Sequence, residues 1–109
     1  PSPRAGRLTA ACACTYCMHA MTQEIEFDPD KANANLRKHG VSFAEAASCF
    51  LDPNALAMED MSEGEARWLL VGRSEVGRTL TIAYTLRGEI PRIISARKAS
   101  ARERTSYAS

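Results

Sequence analysis

With 109 residues the chain is long enough for one small domain with one core, and nothing in it points to a second. It is 45% apolar and 25% charged, and no apolar run approaches the roughly 20 residues that span a bilayer, which excludes a membrane-crossing helix. A net charge of +1 excludes a uniformly basic, polyanion-coating protein, but the charge is unevenly spread. Residues 24–65 carry ten acids against three bases, whereas residues 66–109 carry nine bases against three acids. Phosphate-binding capacity is therefore concentrated in the second half.

Residues 1–20 contain Arg4 and Arg7, no acid and no hydrophobic period, and are read as a disordered or non-native leader ahead of a single domain at 21–109. Two origins compete for this segment, a transit-type leader or a reading frame begun upstream of the true start at Met21. Its shortness and lack of an amphipathic face favour the second. Cys12, Cys14, Cys17 and His19 sit on one short stretch, whereas zinc sites commonly use separated pairs, so a metal site is disfavoured. Cys49 falls within an apolar helical pattern and reads as a buried thiol in a reducing compartment.

The alternation over residues 24–28 predicts a short edge strand, ended by Pro29. A helix is predicted over 29–39, with Asp28 as cap, Pro29 in the first turn, Lys38 and His39 at the negative end of the dipole, and Gly40 as the stop. Ser42 and Glu45 form a capping box opening a second helix, whose Phe43, Ala46, Ala47 and Phe50 share a face until Asp52-Pro53. Two helices joined by Gly40-Val41 predict a helical corner.

The period then changes to two. Residues 55–61 alternate weakly, 67–73 and 79–86 form apolar strands joined by a loop ending near Gly77, and 90–96 completes an antiparallel meander. Ser100 and Glu103 form a second capping box, so a short polar helix is expected over 101–107, with too little apolar surface to stand alone.

The order of signals resembles a known family. They run Glu26-Phe27-Asp28, then Lys31, Asn35-Leu36, Lys38-His39-Gly40-Val41, Phe43 and Glu45-Ala46, then Asp52-Pro53. Glu65, Arg67-Trp68, Gly72, Tyr84-Thr85, Arg92, Ile94-Ser95-Ala96-Arg97 and Ala99 complete the set. Together they resemble the BrnT family of bacterial toxins from Ile25 to Tyr107, a specific match because no single short motif carries it. The resemblance implies an α+β, RelE-like fold: two N-terminal helices packed on a small antiparallel β-sheet, with a short C-terminal helix. It further implies a cytoplasmic endoribonuclease that inhibits translation and growth. A BrnA-like ribbon-helix-helix antitoxin would neutralise it in a heteromeric complex, read as a heterotetramer, that reaches operator DNA only through the antitoxin.

Metal-independent RNA cleavage needs a base for the 2′-hydroxyl, a proton donor for the leaving 5′-oxygen and positive charge for the phosphorane. His39 is the one imidazole in the domain and is assigned as catalytic, against the alternative that it only satisfies helix carbonyls. Arg92, Arg97 and Lys98, near the end of the last strand, are assigned as catalytic phosphate clamps, against a merely solvated basic strand end. Glu65 or the arginines themselves stand in as activators if His39 is not the base. Lys38, Arg67, Arg73, Arg104 and Tyr107 are assigned to substrate binding.

Arg67 and Arg73 share a strand face and could equally snorkel from a buried row. Trp68 reads as core and Tyr84 as a hydrogen-bonding group within the sheet, while Tyr107 could stack on a base. The basic last helix also suits an acidic antitoxin segment. No Walker loop, H-E-x-x-H or G-x-S-x-G motif is present, and no cofactor or metal is implied. The competing function is a non-catalytic module that binds RNA or antitoxin and acts as a transcriptional corepressor.

Overall fold

The structure, a computed structural model, describes residues 6–11, 22–60, 67–88 and 90–108. Strands β1 (Gly6–Ala11) and β2 (Thr22–Phe27) precede helices α1 (Pro29–His39) and α2 (Phe43–Ser48) and a 3-10 turn at Cys49–Leu51. Strands β3 (Leu56–Asp60), β4 (Arg67–Arg73), β5 (Thr79–Arg87) and β6 (Ile90–Lys98) follow, and helix α3 (Ala101–Ala108) ends the fold. Among these residues no helix is long and apolar enough to cross a membrane.

The architecture is α+β, with one correction to the expected sheet. The strand order is β1-β2-β6-β5-β4-β3, and β2 runs parallel to β6, so the sheet is mixed rather than wholly antiparallel. The meander β3 to β6 is antiparallel as expected. Its last strand carries the fully buried Ile93 and Ala96, and β2 closes that side by pairing Glu26 with Arg92 and Phe27 with Ile93. Four of the six strands follow α1 and α2 in the chain, so the helices do not form a simple layer preceding the sheet.

Strand β2 is not the expected edge either. Gly6–Ala11, within the segment read as a leader, pair antiparallel with it from Gly6–Phe27 to Ala11–Thr22. A strand with one unpaired side offers a row of amides and carbonyls that any extended neighbour can satisfy, which sequence periodicity does not register. The cluster Cys12, Cys14, Cys17 and His19 lies outside the described residues, as does Glu65.

Both predicted helical starts are present. Asp28 accepts from the Asp30 amide at 2.9 Å, and Pro29 occupies the first turn, where its missing N–H costs nothing. Gly40, at φ 70°, donates its amide to the Leu36 carbonyl and ends α1 in the left-handed conformation open to glycine. Ser42 accepts from the Glu45 amide at 3.0 Å.

Beneath the helices, Val41, Phe43, Ala46, Ala47 and Cys49 pack on Ile25, Leu70, Leu80, Ile82, Tyr84, Ile93 and Ala96, with Trp68 and Phe27 partly buried at the margin. Removing Ile82 and Ile93 from water contributes roughly 1.5–3 kcal/mol each. Edge-on ring contacts tie Phe27 to Phe43 and Phe50 to Tyr84. Gly72 allows close approach here, since a Cβ would sit 3.1 Å from the Cys49 carbonyl oxygen and 3.2 Å from Ala55 Cβ.

Period-two alternation turns Val71, Thr81 and Arg97, which are register neighbours on β4, β5 and β6, away from that core. Val71 and Thr81 are nonetheless buried, because α3 folds back against β4 on this second face.

Candidate functional site

The stripe of α1 that meets the sheet is set by spacing. Lys31, Asn35 and Lys38 recur at i, i+4 and i+7, with Ala34 between them and His39 next to the stop. Opposite them β6 carries one extra residue, since Ser95 pairs with Ala83 and Ile93 with Tyr84, leaving Ile94 as a bulge. Bulges re-aim side chains beside functional sites. Here Ile94 and Ser95, with Lys31, Ala34, Asn35, Lys38 and His39, line an open depression of about 210 Å³. It brings together an imidazole, two ammonium groups, a hydroxyl and an apolar wall. His39 is half-buried, and Lys31 and Lys38 are exposed.

Arg92 enters β6 two residues before the bulge. Its guanidinium is mostly enclosed, at 18% exposure, and forms a long ion pair with Glu26 at 4.0 Å. Arg92 Nη1 is buried without a hydrogen bond among the described residues. A row of polar groups crosses the sheet at this level. Glu26 pairs in register with Arg92, Arg92 with Thr85, and Arg67 with Asp60 on the far side, one residue beyond the Trp68–Tyr84 pair.

At the other end of β6 the sequence-predicted groups meet protein partners. Both Nη atoms of Arg97 bind Glu103, at 2.7 and 3.0 Å, in the bidentate geometry that a phosphate would otherwise take. Glu103 also accepts from the Ser100 amide at 2.8 Å while Ser100 Oγ accepts from the Glu103 amide at 3.2 Å, completing the capping box. Arg97 and, secondarily, the Ser100 amide hold the Glu103 carboxyl down at about 2 against the opposing effect of burial.

The Tyr107 hydroxyl donates to Asp52, which also accepts from the Arg73 amide at 2.8 Å and the Asn54 amide at 2.9 Å. Burial alone would raise the Asp52 carboxyl, but these three donors outweigh it and leave it below the ordinary range. Tyr107 is raised by the same contact with Asp52. Arg104 donates to the Ala99 carbonyl at 3.0 Å, and Lys98 and the Arg73 side chain are exposed.

Of the residues named from sequence, Lys38 and His39 are thus gathered in one depression. Arg92 stands close by in sequence on β6, and Arg67 lies across the sheet. Arg97 and Tyr107 anchor α3.

Sequence reasoning gave no role to Lys31 or Asn35, although their spacing with Lys38 was visible as a helical stripe. It had no signal for the bulge at Ile94. It also missed Arg78, whose Nε donates to Glu45 at 2.9 Å and whose Nη2 reaches the Gly40 carbonyl at 3.3 Å. Ser74 adds a hydrogen bond to Glu45 at 2.7 Å. Arg78 is the main reason the Glu45 carboxyl is lowered, against the raising effect of burial. The Glu45 carboxylate, expected to close its own capping box, instead ties the β4–β5 turn to the start of α2, while Arg78 itself reaches the end of α1. Among the described residues no three His, Cys, Asp or Glu side chains gather as a metal-ligand set.

No curated protein matches the chain. A family profile described as the ribonuclease toxin, BrnT, of type II toxin-antitoxin systems matches residues 27–103, which takes in α1, α2, the whole meander and the capping box of α3. The chain therefore belongs to the BrnT family of ribonuclease toxins of type II toxin-antitoxin systems.

Proposed function

We propose that the chain is a metal-independent endoribonuclease that arrests translation and growth, with its reaction centre in the depression between α1 and β6. The observation that carries the reading is the convergence of His39, Lys38 and Lys31 on Ile94 and Ser95. His39 takes the proton from a 2′-hydroxyl, and the freed oxygen attacks the adjacent phosphorus. The bond to the 5′-oxygen breaks, and that oxygen leaves with a proton from Lys31 or Lys38. The products are a 2′,3′-cyclic phosphate and a 5′-hydroxyl. Arg92 supplies fixed positive charge for the phosphorane from a site already withdrawn from water, where such charge is most effective. Arg67, at the Arg92 end of the sheet, and Lys98, Arg73 and Arg104, at the other, hold flanking phosphates, and Arg97 keeps α3 in place through its pair with Glu103.

The toxin domain runs over residues 21–109 in a RelE-like arrangement and acts in the cytoplasm. Its partner is a BrnA-like ribbon-helix-helix antitoxin, joined in a heterotetramer that represses their operon through the antitoxin alone. The exposed Arg102 and Arg104 of α3 offer an acidic antitoxin segment a basic surface.

The test is cleavage of single-stranded RNA by the purified full chain with and without EDTA, with product ends identified by mass spectrometry. Cyclic phosphate ends that survive EDTA are expected, with His39→Ala and Arg92→Ala each folded and at least about 100-fold slower, in the range by which acid-base groups assist. A folded chain that leaves RNA intact, yet tightens the antitoxin's grip on operator DNA, would establish the corepressor instead.

A further inference from the structure

Asn35 is the most fully engaged buried polar side chain near the depression. It is 6% exposed, in the middle of α1. Its Nδ2 donates to the Val41 carbonyl at 2.9 Å and to the Ala96 carbonyl at 2.8 Å, while its Oδ1 accepts from the Ala96 amide at 3.0 Å. One amide group therefore meets both backbone groups of a strand residue 61 positions away, as a neighbouring strand would.

The location explains why. Among the described residues, strand β2 pairs with β6 only at Arg92 and Ile93 and then turns into α1, so the β6 edge beyond the bulge has no described strand neighbour on that side. A buried edge residue with two unmet backbone groups would be costly. Asn35 meets both with the two functions of a single carboxamide, a task for which a carboxylate lacks the donors and a hydroxyl lacks the span. Its remaining Nδ2 hydrogen goes to Val41, just past the Gly40 stop. The same side chain thus grips the strand immediately after Ile94-Ser95 and the chain immediately after Lys38-His39.

We infer that Asn35 is the positioning residue of the reaction centre: it fixes the Lys38-His39 end of α1 against the β6 bulge without itself touching the reacting atoms. The inference rests on the ribonuclease reading for its catalytic consequence, while the geometric part stands by itself. Catalytic groups displaced by a fraction of an ångström lose rate more than binding. Arg67 lies on β4, which Asn35 does not hold, and Arg92, although on β6, is fixed independently by its register pairing with Glu26 of β2 and Thr85 of β5. Loosening α1 should therefore lower kcat and leave KM nearly untouched.

The experiment compares the full-length wild type with Asn35→Asp, which keeps the volume and the acceptor but removes the donors, and with Asn35→Ala. Folding is checked by circular dichroism, the His39 imidazole is followed by NMR, and steady-state cleavage is measured on a single-stranded RNA oligonucleotide. The expected result is a folded Asn35→Asp with kcat reduced at least 10-fold, KM within about threefold of wild type, and a shifted or broadened His39 resonance. A folded variant with an unmoved His39 resonance overturns the proposal, as does a loss confined to KM. Failure of both variants to fold assigns Asn35 to folding alone and overturns it too. If the wild type cleaves no RNA while the His39 resonance moves in Asn35→Asp, the positioning holds and the ribonuclease reading is what falls.

Discussion

Glu103→Gln isolates a single charge in the anchoring of α3. The glutamine keeps the shape and can still accept from the Ser100 amide, so the capping bond survives while the bidentate pair with Arg97 loses its charge. Lowering the Glu103 carboxyl from 4.5 to about 2 corresponds to roughly 3 kcal/mol favouring the folded, ionised form. Arg97 is 43% exposed, and solvent screening brings the expected contribution to about 1–2 kcal/mol. Because folding lowers this carboxyl, the contribution is complete above about pH 4.5 and fades as pH falls toward about 2. A polar helix of eight residues opens locally before the domain unfolds, so hydrogen exchange at the α3 amides is the sensitive assay. At pH 7 those amides should exchange about 5–30-fold faster in Glu103→Gln than in wild type, and the ratio should approach one near pH 2. A ratio that stays the same from pH 7 to pH 2 would refute the reasoning, because the pair would then not act through the charge of Glu103.

Other consequences are open to simpler measurements. Gly40→Ala should lower stability by about 1 kcal/mol from backbone strain alone, since nothing lies within 4 Å of its added Cβ. Gly72→Ala should cost more, about 1–3 kcal/mol, because its Cβ meets the Cys49 carbonyl. Equal shifts in thermal melts would contradict that ranking. Tyr107→Phe should lose about 1 kcal/mol on urea denaturation by removing the hydrogen bond to ionised Asp52, and an unchanged midpoint would show that the contact contributes nothing. The Cys49 thiol is pushed up to about 12 by burial and, secondarily, by the charges of Glu45 and Asp52. Iodoacetamide at pH 8 should therefore label it only after denaturation, with peptide mass mapping as the readout. Native labelling at the denatured rate would disprove its burial.

Much of the fold was legible because local chemistry and tertiary context agree. Asp28 with Pro29 and Gly40 marks α1 at both ends, Ser42 opens α2, Ser100 and Glu103 open α3, and alternation finds β4, β5 and β6. Each signal is written within a few residues. The parallel pairing of β2 with β6 is not, because it joins segments more than 60 residues apart and depends on which edge remains uncovered. The candidate site divides in the same way. Lys38 and His39 could be chosen from their chemistry and the family pattern. The bulge at Ile94 and the engagement of Asn35 with Ala96 are properties of two strands meeting a helix. Arg97 and Tyr107 show the converse: their chemistry suits RNA, but sequence could not reveal that Glu103 and Asp52 already hold them.

The distance along the chain between the two walls of the depression bears on when the protein becomes dangerous to its maker. One wall is complete once α1 has been synthesised, and the other arrives only with β6, 61 residues later at the Asn35–Ala96 contact. Translation adds about 5–20 residues each second, so several seconds separate the two walls. Throughout that interval the His39 end of α1 has no opposite face. With the proposed reaction centre in that depression, the toxin has no assembled centre while most of it is still being made on a ribosome, and a partner translated nearby has that interval in which to be ready.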